Sequence, residues 1–270
     1  MNQRPCALYC AIIAVLLLPA CLKPGPIIVP PGHPTARIIQ LKELDPLYSD
    51  SSRVAYNQPG NPVSITPSSV STGYPMWLFR YDNQHRLIAS VGAYDNGLNM
   101  FEMAHRYVLN AAGRIISDTT FVFGTFDTTV TPLRITGQGV RTTSYNYDSY
   151  SRITQTVTTD LVPDIPRFRT TVNYSYNNTG NAWKIVTIRV EIPYPHAIPD
   201  TSITYPVYDN KPNFHRLHPV WQFVDRDYNT NNPGNAISYD TYGLATEMQP
   251  NTNILGIFYH RGAIRYEYRP

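Results

Sequence analysis

Two groups of side chains in this 270-residue sequence have the types and spacing that could do chemistry. One is Cys21, a thiol at the end of the apolar run Ala7 to Leu18. The other is the C-terminal set His215, His218, Asp225 and Asp227, the residue types of a metal site or an acid/base pair. The second group is weak by spacing. Histidines three apart share a face only on a helix, Pro219 is expected to end any helix there, and no Cys or Glu completes a zinc set. Asp225-Arg226-Asp227 reads better as a solvated strand face with an arginine between two carboxylates. The sequence holds no Gly-x-Ser-x-Gly and no His-Glu-x-x-His, and Gly137-Gln138-Gly139 reads as a turn with no following helix to cradle a phosphate. No catalytic residue, cofactor or metal is therefore assigned. A glycoside-active enzyme with carboxylates from distant strands is the less favoured alternative.

Cys21 has a stronger case. Arg4, the apolar run and Leu18-Pro19-Ala20-Cys21 form the layout of a secretory signal. The tetrad resembles the lipobox of bacterial lipoproteins, with Pro19 a departure from the usual small residue. Cys6 and Cys10 fall in the part that would be removed, so Cys21 would be the single cysteine of the mature chain, free of any internal disulfide and available to lipid. The apolar run is too short for a permanent span of about 20 residues. Residues 1–20 are thus expected to be a signal peptide, and the Pro-rich residues 21–35 an extended tether. The remaining 36–270 form one domain. The resemblance places the protein at the bacterial outer membrane, on its periplasmic or its cell-surface side, with the membrane as a partner through lipid on Cys21.

Composition then limits what the tether carries. Lys and Arg number 22 against 19 Asp and Glu, a net charge of +3 too small to demand nucleic acid as a partner. With 26 Thr, 21 Tyr, 20 Asn and 24 Pro, the chain joins strand formers to turn formers. A seven-residue unit repeats: Tyr81 to Leu87, Leu109 to Ile115, Tyr147 to Ile153, Tyr176 to Ala182 and Tyr239 to Ala245. Each opens with Tyr or Leu and continues with Asp or Asn, and three of the five copies have Gly at the fifth position. An Asx side chain starts a turn and a left-handed glycine closes it, so each unit is expected to be the tip of a β-hairpin. The gap from 176 to 239 leaves room for one degenerate copy or an insertion. Alternation puts Phe101, Met103, His105, Tyr107 and Leu109 on one strand face, and Ile153, Gln155 and Val157 on another. The fold class expected is all-β: an antiparallel meander of hairpin repeats forming a curled sheet or an open, barrel-like layer.

The units resemble YD (RHS-type) repeats, whose signature is Tyr-Asp-x-x-Gly-Arg-Leu. Behind a lipoprotein signal, they are similar to the YD-repeat-like lipoproteins of Bacteroidota, domains of unknown function. Tyr208 to Phe214 is similar to a Tyr-Asp-x-Lys-x-Asn-Pro-Phe segment of that family, which precedes a less regular connection and a final hairpin. The resemblance implies an extracytoplasmic β-repeat protein and no reaction. The expected function is binding or scaffolding, with a protein or glycan partner. Tyrosines 81, 147, 176 and 239 are needed for cross-strand packing, which leaves Tyr150, Trp183, Trp221 and Tyr242 as the candidate ligand face.

Overall fold

The computed structural model describes residues 35–48, 50–94, 99–130, 133–162, 167–192, 198–234 and 236–269. Cys21, the signal segment and the tether up to residue 34 lie outside them. The strands are β1 (Thr35–Glu43), β2 (Ser51–Tyr56), β3 (Pro62–Pro67), β4 (Met76–Tyr81), β5 (Leu87–Ala93), β6 (Met100–Leu109), β7 (Ile115–Asp127), β8 (Arg134–Tyr147), β9 (Ile153–Asp160), β10 (Arg167–Tyr176), β11 (Ala182–Ile192) and β12 (Asp200–Thr204). There follow β13 (Tyr208–Pro212), a 3-10 turn (Phe214–Leu217), helix α1 (Pro219–Asp225), β14 (Asn231–Pro233), β15 (Ala236–Tyr239), β16 (Ala245–Met248), β17 (Thr252–Ile254), β18 (Ile257–Tyr259) and β19 (Gly262–Arg269). Among the described residues, 15 strands make one antiparallel sheet in the order β12 down to β1, then β19, β16 and β15. The chain is all-β, and the sheet curls without closing.

All five repeat units are hairpin tips of one geometry, and a sixth, Tyr56 to Pro62, joins them. In each, the backbone N–H of the second residue donates to the carbonyl of the sixth, as Asp82 does to Arg86 at 3.0 Å and Asn57 to Asn61 at 2.9 Å. The second residue's side-chain oxygen accepts the N–H of the sixth in all six. The fifth residue is left-handed throughout: Gly60, His85, Gly113, Ser151, Gly180 and Gly243 all have positive φ. Such a turn inserts one unpaired residue, and the register shifts immediately before each leading residue, for example between Asn146 and Tyr147.

That shift corrects the simple alternation. After the third tip Ile153 pairs with Tyr147 while Gln155 pairs with Asn146, so Ile153 and Gln155 stand on opposite faces. A similar irregularity opposite Gly92 and Ala93 sends Phe101 to the other face from Met103. Phe101 there packs against Gly124 and Gly137, where an added Cβ would stand 2.8 and 2.9 Å from the ring. Gly137 and Gly139 lie within β8, not in a turn, and at Gly137 the reason for glycine is this close approach.

The leading tyrosines join one repeat to the next. Tyr81 donates to the carbonyl of Pro62 at 2.7 Å, Tyr147 to Ile115 at 2.7 Å, Tyr176 to Ile153 at 3.0 Å and Tyr208 to Ala182 at 2.8 Å. Each acceptor is the seventh residue of the preceding unit. Burial pushes these four phenols above their ordinary pKa, so they remain neutral donors. The sixth-position arginine works locally and forward: Arg152 bonds Asp148 through Nε at 2.8 Å and lies 4.1 Å over the Tyr176 ring. Tyr208 thus opens a seventh unit. Asp209 accepts the N–H of Lys211, as Asp82, Asp148, Asn177 and Asp240 accept the N–H two residues on, but the chain then departs into the 3-10 turn and α1.

That departure fills the trough of the sheet. Pro219 begins α1, since at a first helical position its missing N–H costs nothing, and the His218 side chain caps the helix by accepting from the Val220 N–H at 3.2 Å. Trp221 is fully buried, edge-on to Tyr56 of β2 and Phe79 of β4. Phe223 meets Tyr107 of β6 and Tyr145 of β8. A helix of two turns touches strands this far apart in sheet order only because the sheet wraps round it. Beyond the plug the two-stranded β13–β14 ribbon, held by the Tyr208–Pro233 pairing and by Gly234 N–H donating to Val207 O at 2.7 Å, touches the β15 edge of the sheet, where Tyr239 bonds Asp209.

Candidate binding surface

The histidine-aspartate group assembles, though not as a solvated strand face. Asp225 ends α1, and Arg226 caps it in the left-handed region, which turns the chain back and brings Asp227 to the same histidine. His215 Nε2 lies 2.6 Å from Asp225 Oδ2, and Nδ1 lies 3.1 Å from Asp227 Oδ2 and 2.9 Å from Asn213 Oδ1. Burial alone would lower the pKa of His215, but the bonds to Asp225 and Asp227 outweigh it and raise it to about 9. At neutral pH it is an imidazolium with both N–H groups committed, and it offers no lone pair to a proton or a metal. Asp225 also accepts the N–H groups of Leu255 and Gly256, both at 2.7 Å. The cluster therefore pins α1 to the β17–β18 turn. A recess of about 380 Å³ beside it is walled by Phe214, His215, Asp225, Arg226, Asp227 and Met248, its histidine and carboxylates already bonded to one another. His218 takes a different part: burial lowers it to about 4, and it is the neutral cap of α1. Among the described residues no group of three His, Cys, Asp or Glu is arranged to hold a metal ion.

A second polar cluster, on the trough face of β5 to β8, was not foreseen. Ser90, His105 and Asp118 come from successive strands, with Ser90 and His105 directly paired. The serine bonds the Tyr107 hydroxyl at 2.7 Å, not the histidine. Asp118 accepts from Tyr145 at 2.7 Å and stands 3.6 Å from His105 Nδ1. Serine and histidine lack the mutual bond that nucleophilic activation needs, and the cluster joins buried hydroxyls beneath Phe223. The signal that could have found it is cross-strand register, which requires the bulges to be placed first.

The four aromatic candidates do not converge on one face. Trp221 is not on the surface at all: Pro219 starts a helix instead of ending one, and that helix carries this ring into the core. Tyr150 is exposed at the third tip beneath Arg152. Tyr242 stands at the last tip, its ring 4.6 Å from Tyr268. Trp183 is 49% exposed on β11, and its ring centroid lies 6.4 Å from that of Tyr205, itself 62% exposed. On either side of Tyr205 in the chain, Ile203 and Val207 are also exposed. Sequence reasoning missed Tyr205, Ile203 and Val207, because exposure at a sheet edge depends on which strand comes last.

That last strand is β12, exposed at all five residues and paired, among the described residues, with β11 alone. Unpaired strand edges are rare in soluble proteins unless blunted or covered. The other edge is blunted: β15 has four residues, two register irregularities, and Tyr239 tied to Asp209. Trp183 and Tyr205 thus sit beside the open edge of the sheet.

No protein-family model matches the chain, and no curated protein matches it. Among solved structures it is similar to a porin-like protein from Bacteroides uniformis, with 13% identity, 87% of this chain and 96% of that chain covered, and a TM-score of 0.43. It is also similar to the structure described as TcdB2-TccC3-TEV, with 12% identity, 83% of this chain covered and a TM-score of 0.26. The chain spans 14% of that second protein's length.

Proposed function

We propose that this protein is a lipid-anchored extracytoplasmic binding or scaffold module of the bacterial outer membrane, which holds a protein partner on the open side of its sheet. The observation that carries the reading is the exposed ring pair of Trp183 and Tyr205 beside an open edge strand that also exposes Ile203, while the trough that would form a ligand cavity is filled by α1. Aromatic rings clustered on a surface supply large contact area at small entropic cost and are enriched where proteins meet. The anchor rests on the Leu18-Pro19-Ala20-Cys21 tetrad.

The test has two arms. Cys21→Ala should release the full chain from membranes and abolish lipid labelling; retention with unchanged labelling refutes the anchor. The domain, immobilised and exposed to solubilised envelope, should retain a discrete protein that a Trp183→Ala, Tyr205→Ala double variant does not. Retention unaffected by the double variant, or saturable quenching of Trp183 by an envelope polysaccharide with no protein retained, contradicts the protein-partner reading.

A further inference from the structure

The partner's local shape follows from the edge that receives it, and this inference rests on the binding reading above. Strand β12 pairs with β11 from Asp200 opposite Arg189 to Thr204 opposite Ile185, and Pro199 and Pro206 bound it on either side. Its far side presents main-chain donors and acceptors with no strand among the described residues to take them. Cross-strand rows reach this edge on both faces. Ile203 continues the row through Asn173 and Val186, and Thr201 the row through Thr171 and Ile188. On the other face Asp200 continues the row through Thr170 and Arg189. The Arg189 guanidinium lies 3.6 Å over the Phe168 ring, and Asp200 has no ion-pair partner among the described residues.

We infer that β12 accepts an extended segment of a partner protein as an added antiparallel strand, with an apolar residue opposite Ile203 and a basic residue opposite Asp200. Main-chain bonds would supply the attachment, and alternate side chains the selectivity. Asp200 and Ile203 are three apart, so the segment reads apolar-x-x-basic from its N-terminus. A second copy of this chain fits the edge less well. Antiparallel pairing of two β12 strands centred on Ser202 sets Asp200 against Thr204 and leaves both carboxylates uncompensated.

The probes are two nine-residue, threonine-rich peptides, alike except that one has isoleucine and lysine three apart and the other isoleucine and glutamate. Amide hydrogen exchange of the full chain is followed at residues 200–204. The lysine peptide should protect these amides at least about tenfold more tightly than the glutamate peptide, and Asp200→Lys should reverse the order. Absence of protection by either peptide, or an order unchanged in Asp200→Lys, overturns the inference. Protection without peptide that rises with protein concentration overturns it in favour of a second copy. If envelope protein is still captured through Trp183 and Tyr205 while both peptides leave β12 unprotected, strand addition fails and the binding reading stands; if no protein is captured either, both fail.

Discussion

Replacing His215 by leucine tests whether the charged cluster holds the helix in the trough. The substitution removes one cation and leaves Asp225 and Asp227, which bond it at 2.6 and 3.1 Å, with their charges partly uncompensated in the interior. Breaking a buried ion pair from one side costs about 3–5 kcal/mol. Asp225 keeps its bonds from Leu255 and Gly256, and Asp227 its bonds from Asn213 and Asn229, which places the expectation near the lower figure, about 3 kcal/mol. The pH dependence is a second reading of the same interaction. A histidine held at about 9 in the fold, against about 6.5 when unfolded, adds stability that is full below about pH 6.5 and lost as pH rises toward 9. The difference of about 2.5 pH units corresponds to about 3 kcal/mol. Asp227 is held low, opposed by burial and outweighed by His215, so its contribution is present above about pH 4 and lost on acidification. Urea unfolding followed by Trp fluorescence between pH 5 and 9.5 measures both effects, since Trp221 is fully buried in the same plug. The parent should lose stability from pH 6.5 upward, and His215→Leu should be weaker at pH 6 with a flatter slope over that window. A variant within about 1 kcal/mol of the parent and with the same slope refutes the reasoning.

The turns, the tyrosine bonds and the buried Trp221 give three further expectations. His85 and Ser151 occupy the left-handed position that glycine takes in the other four tips, so His85→Gly and Ser151→Gly should each raise stability by about 1 kcal/mol, and Gly113→Ala should lower it by a similar amount, in urea midpoints. Tyr147→Phe and Tyr176→Phe each remove a donor to a neighbouring repeat's carbonyl and should each cost about 1 kcal/mol, whereas Tyr150→Phe, exposed at a tip, should cost nothing measurable. Trp221→Ala should cost about 3–5 kcal/mol and abolish the blue-shifted part of the emission; a loss under 1 kcal/mol would place the ring outside the core.

The hairpins were legible because their chemistry is local. An Asx side chain bonding four residues on and a left-handed fifth residue are properties of one short segment, and Tyr-Asp-x-x-Gly carries both. The Tyr56 unit was missed although it has Tyr, Asn and Gly in place, because it alone of the six carries prolines, Pro59 and Pro62, which read as loop and not as the start of a return strand. The faces beyond each tip were not legible by alternation, since the extra residue of the turn switches parity, as at Ile153 and Gln155. The plug was the largest departure. Pro219 marks a helix start as well as a stop, and only its tertiary setting, with His218 as cap and Trp221 directed at Tyr56 and Phe79, decides between them. Of the candidate surface, Trp183 is an exposed ring, and Tyr205 and Val207 after it gain their setting from the end of the sheet, a property of the whole strand order that no local pattern shows.

The most direct test of the binding account is photo-crosslinking in intact envelopes from two positions on the full-length protein, Tyr205 beside the open edge and Ile116 on β7, which is 39% exposed. A photoreactive residue at Tyr205 should yield a discrete protein adduct that the same residue at Ile116 does not. Equal adducts at both positions, or none from Tyr205, would contradict it.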